Sequence, residues 1–377
     1  MTLEELSKGE HATAEYKQNI PLEKEKFLKT AAAFANGEGG RLIFGVQDGT
    51  WKITGFAADE IFQKMDAITN SIYDSIEPHI VPVMEIAEIG GKQVISATIR
   101  AGMMKPYYLK KAGPEDGTYV RVAGVTRKAE PYEVQELRLE GLNRSFDSLR
   151  APGNISAAAV NRECKRLYNK ALELCRTEEQ RQAQKKLTAS QLLAWKVIGQ
   201  DENGQYYPCN AWKLLTGDRD AFPDAVIQCA VFKGVSRNIF ITRKEISGPA
   251  DQQIEDALAF VKEHINLGSR IEGLYRQDFY ELPLGSVREM IANAVCHRSY
   301  MSSGKIQVAL FDDRLEVTSP GKLIEGLTKK QLLEGNSRIR NRALAAVFSY
   351  IHVIETRGSG IPRIFEDSVE VSQFNGL

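Results

Sequence analysis

The chain has 377 residues, 43% of them hydrophobic and 26% charged, and its 49 basic side chains balance 49 acidic ones. That balance excludes a uniformly basic coat for nucleic acid, and the length predicts two or three domains with cores of their own. No apolar run reaches the roughly 18 residues needed to span a bilayer, and the N-terminus is polar rather than signal-like, so a cytoplasmic protein without membrane contact is expected.

A helix is predicted over residues 22–35, ended by Asn36-Gly37-Glu38-Gly39-Gly40, where glycine lets the chain turn into a compact apolar strand over 41–46. Asp48-Gly49 reads as a turn, residues 59–76 as a second helix, and 80–86 and 92–100 as strands joined across Gly90-Gly91. Short strands at 107–110 and 118–122 complete a mixed domain over residues 1–133. Glu10, Glu15 and Asp48 could meet Lys17 in one cleft if the 41–46 strand returns the chain to its start. Such hard oxygen ligands suit Mg2+ or Mn2+, although turn carboxylates also have an ordinary structural reading. Residues 100–128 hold seven basic side chains against two acidic ones. Within them Lys105-Pro106-Tyr107-Tyr108-Leu109-Lys110-Lys111 interleaves aromatics with cations, which suits either phosphate contact and base stacking or a strand with core-facing tyrosines. Lys105, Tyr107, Lys110, Lys111, Arg121 and Arg127 are the nucleic-acid candidates.

Residues 134–200, rich in Lys, Arg, Glu, Gln and Ala, read as a helical linker ahead of a second α/β domain over 201–377. That domain is predicted to hold strands at 225–232 and 238–241, a helix at 252–264, a helix starting at 284, and a hairpin of 306–311 with 315–318. In the helix, Glu289, Asn293 and His297 recur every fourth residue and share one ridge, opposite Val287, Met290, Ile291, Ala294 and Val295. A carboxylate, an amide and an imidazole in a row suit a hydrated Mg2+ beside a phosphate, the alternative being an ordinary solvated face. Gly321, the run Asn336-Ser337-Arg338-Ile339-Arg340-Asn341-Arg342, and Gly358 and Gly360 follow. Glycines of this kind can bring backbone N–H groups close to phosphate. The five cysteines form no C-x-x-C pair and read as reduced, packed thiols.

Two resemblances extend this reading. Glu15-Tyr16-Lys17, the stretch 33–46 and Gly117-Thr118-Tyr119-Val120-Arg121-Val122 together resemble the AlbA-type (AlbA_2) domain of the Schlafen family over residues 1–133. The resemblance implies nucleic-acid contact. For the members that are metal-dependent nucleases it also implies an acidic triad at Glu10, Glu15 and Asp48; other bacterial members are DNA-binding regulators. From about residue 200 to 367, the order of helix, hairpin, glycine turn, arginine-rich loop and second glycine turn resembles the divergent branch of the GHKL (Bergerat-type) ATPases, in bacterial regulator and RecG-like families. This implies Glu289 as the base that activates water, Asn293 as the Mg2+ ligand and Gly358 to Gly360 as the phosphate turn, with His297, Gly321, Arg340 and Asn341 at the same ATP site. Ser319-Pro320-Gly321 stands where the adenine-recognising aspartate is usual. The family architecture also implies a winged-helix region after the last glycine turn, so a short member or a piece of a longer chain is expected.

The expectation is therefore an α/β (α+β) protein with an N-terminal Schlafen/AlbA-like domain, a helical linker and a C-terminal GHKL-like α/β sandwich. It would bind ATP with Mg2+ (or Mn2+) and DNA or RNA, as a homo-oligomer whose assembly or nucleic-acid contact follows nucleotide state. Transcription regulation and defence against foreign nucleic acid suit it equally. The alternatives are a metal-dependent nuclease regulated by the second domain, and a degenerate GHKL-like module serving assembly alone.

Overall fold

The structure is a computed structural model that describes residues 10–47, 49–122, 124–272, 275–321, 333–335, 338–354, 360 and 362–367. The chain is α+β and divides into two compact units, Met1–Arg144 and Ser145–Leu377. Asp48, Asn336, Ser337 and Gly358, all named from the sequence, lie outside the described residues.

In the first unit, β1 (Ala14–Lys17) pairs in parallel with β2 (Gly39–Phe44) after helix α1 (Glu25–Asn36). Helix α2 (Ile61–Ser75) is followed by β3 (Val83–Ile89) and β4 (Lys92–Arg100), giving the sheet order β1-β2-β4-β3 with β4 antiparallel to both neighbours. Sequence pattern did not reveal β1, because four residues are too few to show a period. The core joins Phe27, Ala31 and Phe34 of α1 to Leu42 and Phe44 of β2 and Ile95, Ala97 and Ile99 of β4. A hairpin of β5 (Tyr119–Val122) and β6 (Val125–Lys128) precedes α3 (Pro131–Gly141), whose N-terminus is held by a reciprocal Glu130/Glu133 capping box. Residue 133 thus falls inside a helix, and the unit runs on to Arg144.

The Asn36 side chain fixes how this unit closes. Wholly buried, it donates through Nδ2 to the carbonyls of Tyr107 (2.7 Å) and Tyr119 (2.9 Å), and accepts the Tyr107 N–H at Oδ1 (2.7 Å). One amide thereby satisfies three backbone groups on two segments that no sheet ladder joins to α1.

In the second unit the sheet order is β8-β7-β9-β10: β7 (Ile227–Phe232) lies between antiparallel β8 (Phe240–Ile246) and parallel β9 (Ile306–Leu310), with β10 (Leu315–Thr318) antiparallel at the far edge. Side chains alternate across the sheet. Ile227, Cys229 and Val231 with Ile306, Val308 and Leu310 enter the main core, which they share with α6 (Ala250–His264), α7 (Leu284–His297) and α8 (Arg342–Tyr350). Ala230, Phe232, Ala309 and Phe311 form a separate small cluster on the other face.

The segment read as a linker is built into this core. Its helix α4 (Ala157–Leu174) contributes Val160, Cys164, Leu167 and Ala171, and its short helix α5 (Ala189–Ala194) contributes Leu192. Arg166 of α4 donates to wholly buried Asp251 at the start of α6 (2.8 and 3.0 Å), and Lys170 adds an ion pair at 3.1 Å. Burial alone would raise the Asp251 pKa, but the two cations outweigh it and hold the carboxyl below its ordinary value. The charged composition of this stretch had suggested solvent; it belongs to one face of α4 while the other face is core.

Asn36→Ala is expected to destabilise the first unit by about 3 kcal/mol, because it strands one buried N–H and two buried carbonyls. Hydrogen exchange over residues 105–122 checks this: protection falls there and not in the second unit.

Candidate functional site: the polar ridge of helix α7

Helix α7 buries Val287, Ile291, Ala292, Ala294, Val295 and Cys296, and leaves Glu289, Asn293 and His297 partly exposed along its other side. Over eight residues that ridge is about 12 Å long. Asn293 Nδ2 donates to Glu289 Oε1 at 3.1 Å. Because a carboxylate can only accept, this bond fixes the amide orientation and turns Asn293 Oδ1, a hard oxygen ligand, away from Glu289. Gly360 approaches the same carboxylate: a Cβ built on it would lie 2.1 Å from Glu289 Oε1. Any side chain at 360 would displace Glu289.

The other end of the ridge is built by the loops. Ser319 donates its hydroxyl to the Ala294 carbonyl (2.8 Å), and the Ser299 N–H donates to the Pro320 carbonyl (2.8 Å). Gly321 follows at φ +109°, and a Cβ there would stand 3.1 Å from both Arg340 Nη1 and Ser299 Cβ. The next residue, Asn341, is buried and donates both amide hydrogens, to the carbonyls of Cys296 and Arg298 at 2.8 Å each. Its amide hydrogens serve the scaffold under the site. Burial, assisted by the Arg340 guanidinium, holds the His297 pKa below its ordinary 6.5. The imidazole is therefore neutral at neutral pH.

Glu289, Asn293, His297, Gly321, Arg340 and Gly360 are thus brought to one helix and the loops on it. Sequence reasoning missed Ser319 as a strut and also Asp147, which is wholly buried and accepts the Leu344 N–H at 2.8 Å in the first turn of α8. Burial pushes the Asp147 carboxyl above its ordinary value against the hydrogen bonds it receives. Neither residue has a periodic signal in sequence. The cavity bordered by Glu289, Gly360, Arg288 and Arg363 holds about 50 Å3, less than a nucleotide-sized ligand occupies.

In the first unit Lys17 Nζ lies 2.6 Å from Glu15 Oε1 and 3.8 Å from Glu10 Oε1, while Arg121 Nη1 donates to Glu15 Oε2 at 2.7 Å. Glu10 Oε1 also accepts the Tyr16 N–H at 3.1 Å. Glu10, Glu15 and Lys17 do meet, but both Glu15 oxygens are taken by cations. No group of three or more potential metal ligands occurs among the described residues. Arg121 is a structural partner here, with further donors to the carbonyls of His11 and Ala14 at 3.2 Å.

The candidate nucleic-acid residues divide by the strand period. Lys105, Tyr107 and Leu109 are buried, whereas Lys110 and Lys111 are exposed. Lys105 pairs with Glu140 at 2.9 Å and Arg127 with Glu133 at 2.6 Å. Tyr107 packs in the first core, as the reading of a strand with core-facing tyrosines has it.

Residues 10–130 match the family model "Schlafen, AlbA_2", and residues 303–375 match "Putative ATP-dependent DNA helicase recG C-terminal". No curated protein matches the chain. Among solved structures, the DIP2311 protein of Corynebacterium diphtheriae is 21% identical, covering 94% of this chain and 70% of that one with a TM-score of 0.44. The N-terminal domain of a RecG-related protein of Nitrosomonas europaea is 23% identical, covering 34% of this chain and 90% of that one with a TM-score of 0.27. The second family match begins after α7, and Ser319, Asn341 and Gly360 are the residues that tie the matched range to the ridge.

The depressed His297 pKa gives a signed expectation. In the unfolded chain His297 takes a proton near pH 6.5, and in the fold only at lower pH. Its contribution is fully present above pH 6.5 and is lost as pH falls below that value. Thermal unfolding of wild type and His297→Gln on both sides of pH 6.5 checks this: the variant loses less stability on acidification.

Proposed function

We propose that this chain, which carries an AlbA_2 domain in its first unit and a RecG-C-terminal-type domain in its second, is a nucleic-acid-associated protein that binds ATP with Mg2+ on the α7 ridge. In this reading nucleotide state alters its assembly or its hold on nucleic acid. The observation that carries it is the Glu289–Asn293–Gly360 contact: a carboxylate and an amide oxygen are presented together where a glycine makes room.

Asn293 Oδ1 would hold the metal, which when bound offsets the charge of the phosphates. Glu289, kept in place by the Asn293 amide, is suited to accept a proton from a water beside a phosphate. Neutral His297 donates or accepts one hydrogen bond without adding charge, and Arg340 supplies the cation at that end. The loop over 338–342 leads into α8, whose first turn is capped by Asp147, so a shift of Arg340 toward a phosphate would be felt at residues 145–148 beside the unit boundary.

Ser319 spends its hydroxyl on Ala294 and does not replace a base-reading carboxylate. Poor base discrimination follows. The nuclease reading is less well supported: Glu15 is neutralised by Lys17 and Arg121, so metal binding there would have to displace at least one of two short ion pairs. Exposed Lys110 and Lys111 are the first unit's better-supported phosphate contacts.

Calorimetry tests the ridge. Wild type should bind ATP only weakly without Mg2+ and tightly with it, and Asn293→Ala should lose about ten-fold or more of the Mg2+-dependent affinity. No binding by wild type would remove the proposal. GTP should compete with ATP within about ten-fold, since one missing base-specific hydrogen-bonding group is worth on the order of 1 kcal/mol.

A further inference from the structure

The sheet face turned away from α6 and α7 carries a groove of about 540 Å3, remote in chemistry from the ridge and larger than the cavity at Glu289. Its floor pairs small Ala230 with Ala309 and places Gln228 against Gln307, all register partners on β7 and β9. Arg237 closes it from above, donating to Gln307 Oε1 (3.0 Å) and to Glu316 Oε2 on β10 (2.9 Å).

One end is a ladder of rings. Phe232 stacks on Phe311 at 4.9 Å and 10°, Phe240 leans on Phe232 at 4.6 Å, and the Arg314 guanidinium covers Phe311 at 4.1 Å. The ladder is capped at the Arg314 end and open at Phe240, which is 57% exposed beside similarly exposed Ile239 and Ile241. Apolar side chains grouped this way on a surface mark a contact site. The groove is also preformed: Gly234 donates its N–H to Asp312 Oδ2 (2.9 Å), and Arg314 holds the Val235 carbonyl (3.2 Å), so the loop over the rings is fastened to the β9–β10 hairpin.

The charge at the rim identifies the occupant. Glu245 is engaged by Lys305 (2.9 Å) and Gln228 (3.2 Å), and Glu316 by Arg237 (2.9 Å) and Arg314 (2.8 Å). Arg243, the register partner of outward-facing Ala230, lines the same groove, is exposed, and has no ion pair among the described residues. The acids are thus neutralised and the Arg243 cation remains, next to an open aromatic face and two amide side chains. We infer that this outer face binds single-stranded nucleic acid, one base stacking on Phe240 with its phosphate at Arg243. Single strands are held by stacking platforms and cations of this kind, whereas a duplex keeps its base faces covered. A groove of 540 Å3 is the size for a nucleotide unit rather than a helix. The site is independent of the α7 ridge and of the AlbA_2 domain.

The test uses the full chain with a short single-stranded oligonucleotide carrying 5-iodouracil, photo-crosslinked and mapped by mass spectrometry. The crosslink should fall on the peptide containing Phe240. Phe240→Ala should abolish it and weaken binding about five-fold or more, with Phe240→Trp restoring both. Arg243→Glu should lower affinity and flatten its salt dependence. Crosslinks confined to residues 10–144 would overturn this site while leaving nucleic-acid association intact. Equal competition by a free mononucleotide would overturn the strand as occupant, and equal displacement by polyglutamate would overturn base stacking.

Discussion

Both amide hydrogens of Asn341 go to carbonyls at the exit of α7, and the candidate nucleotide site is placed by that clamp. A helix leaves its last carbonyls without intrahelical partners, and buried ones must be satisfied. Here a residue from the arginine-rich loop satisfies one at Cys296 and one just beyond, so Arg340 and Arg342 are fixed relative to the ridge of Glu289, Asn293 and His297. Ser319 adds a second bond at the Ala294 carbonyl, which already accepts the Arg298 N–H. The scaffold that aligns the polar ridge with its loops therefore consists largely of side chains bonded to the backbone of one helix.

The first unit uses a comparable device. Asn36, at the end of α1, joins two distant segments through Tyr107 and Tyr119. In both units a buried asparagine makes contacts that no ladder of strands supplies. Such a residue is costly to bury unless satisfied and is correspondingly hard to replace. The loops it holds can then carry charge, as Arg340 does in one unit and Lys110 and Lys111 do in the other.

What could be read from sequence followed period. The strand 92–100 and the hairpin of 306–311 with 315–318 agree closely with β4, β9 and β10, because alternating and compact apolar runs dominate there. The ridge Glu289, Asn293, His297 was legible for the same reason, at the helical period. The clamps were not: Asn36 read as part of a helix-ending turn, Asn341 as an ATP-site residue, and Asp147 has no local pattern, since their partners lie 43 to 197 residues away. Tyr107 and Lys105 show the converse. Their alternation with Tyr108 and Lys110 puts them on the inward side, and aromatics beside cations drew attention to composition rather than to direction. Zero net charge hid a similar separation, because Lys105, Arg121 and Arg127, read as phosphate contacts, are already paired to carboxylates, and Arg243 stands outside the basic stretch over 100–128.

The central claim is that the α7 ridge is a metal-nucleotide site. Crystals grown with a non-hydrolysable ATP analogue and Mn2+ test it most directly, through the anomalous signal of the metal. The account predicts a peak within coordination distance of Asn293 Oδ1, with the phosphates between Gly360 and Arg340. Bound nucleotide with its metal elsewhere, or a metal at Glu10 and Glu15 with the ridge empty, would contradict it.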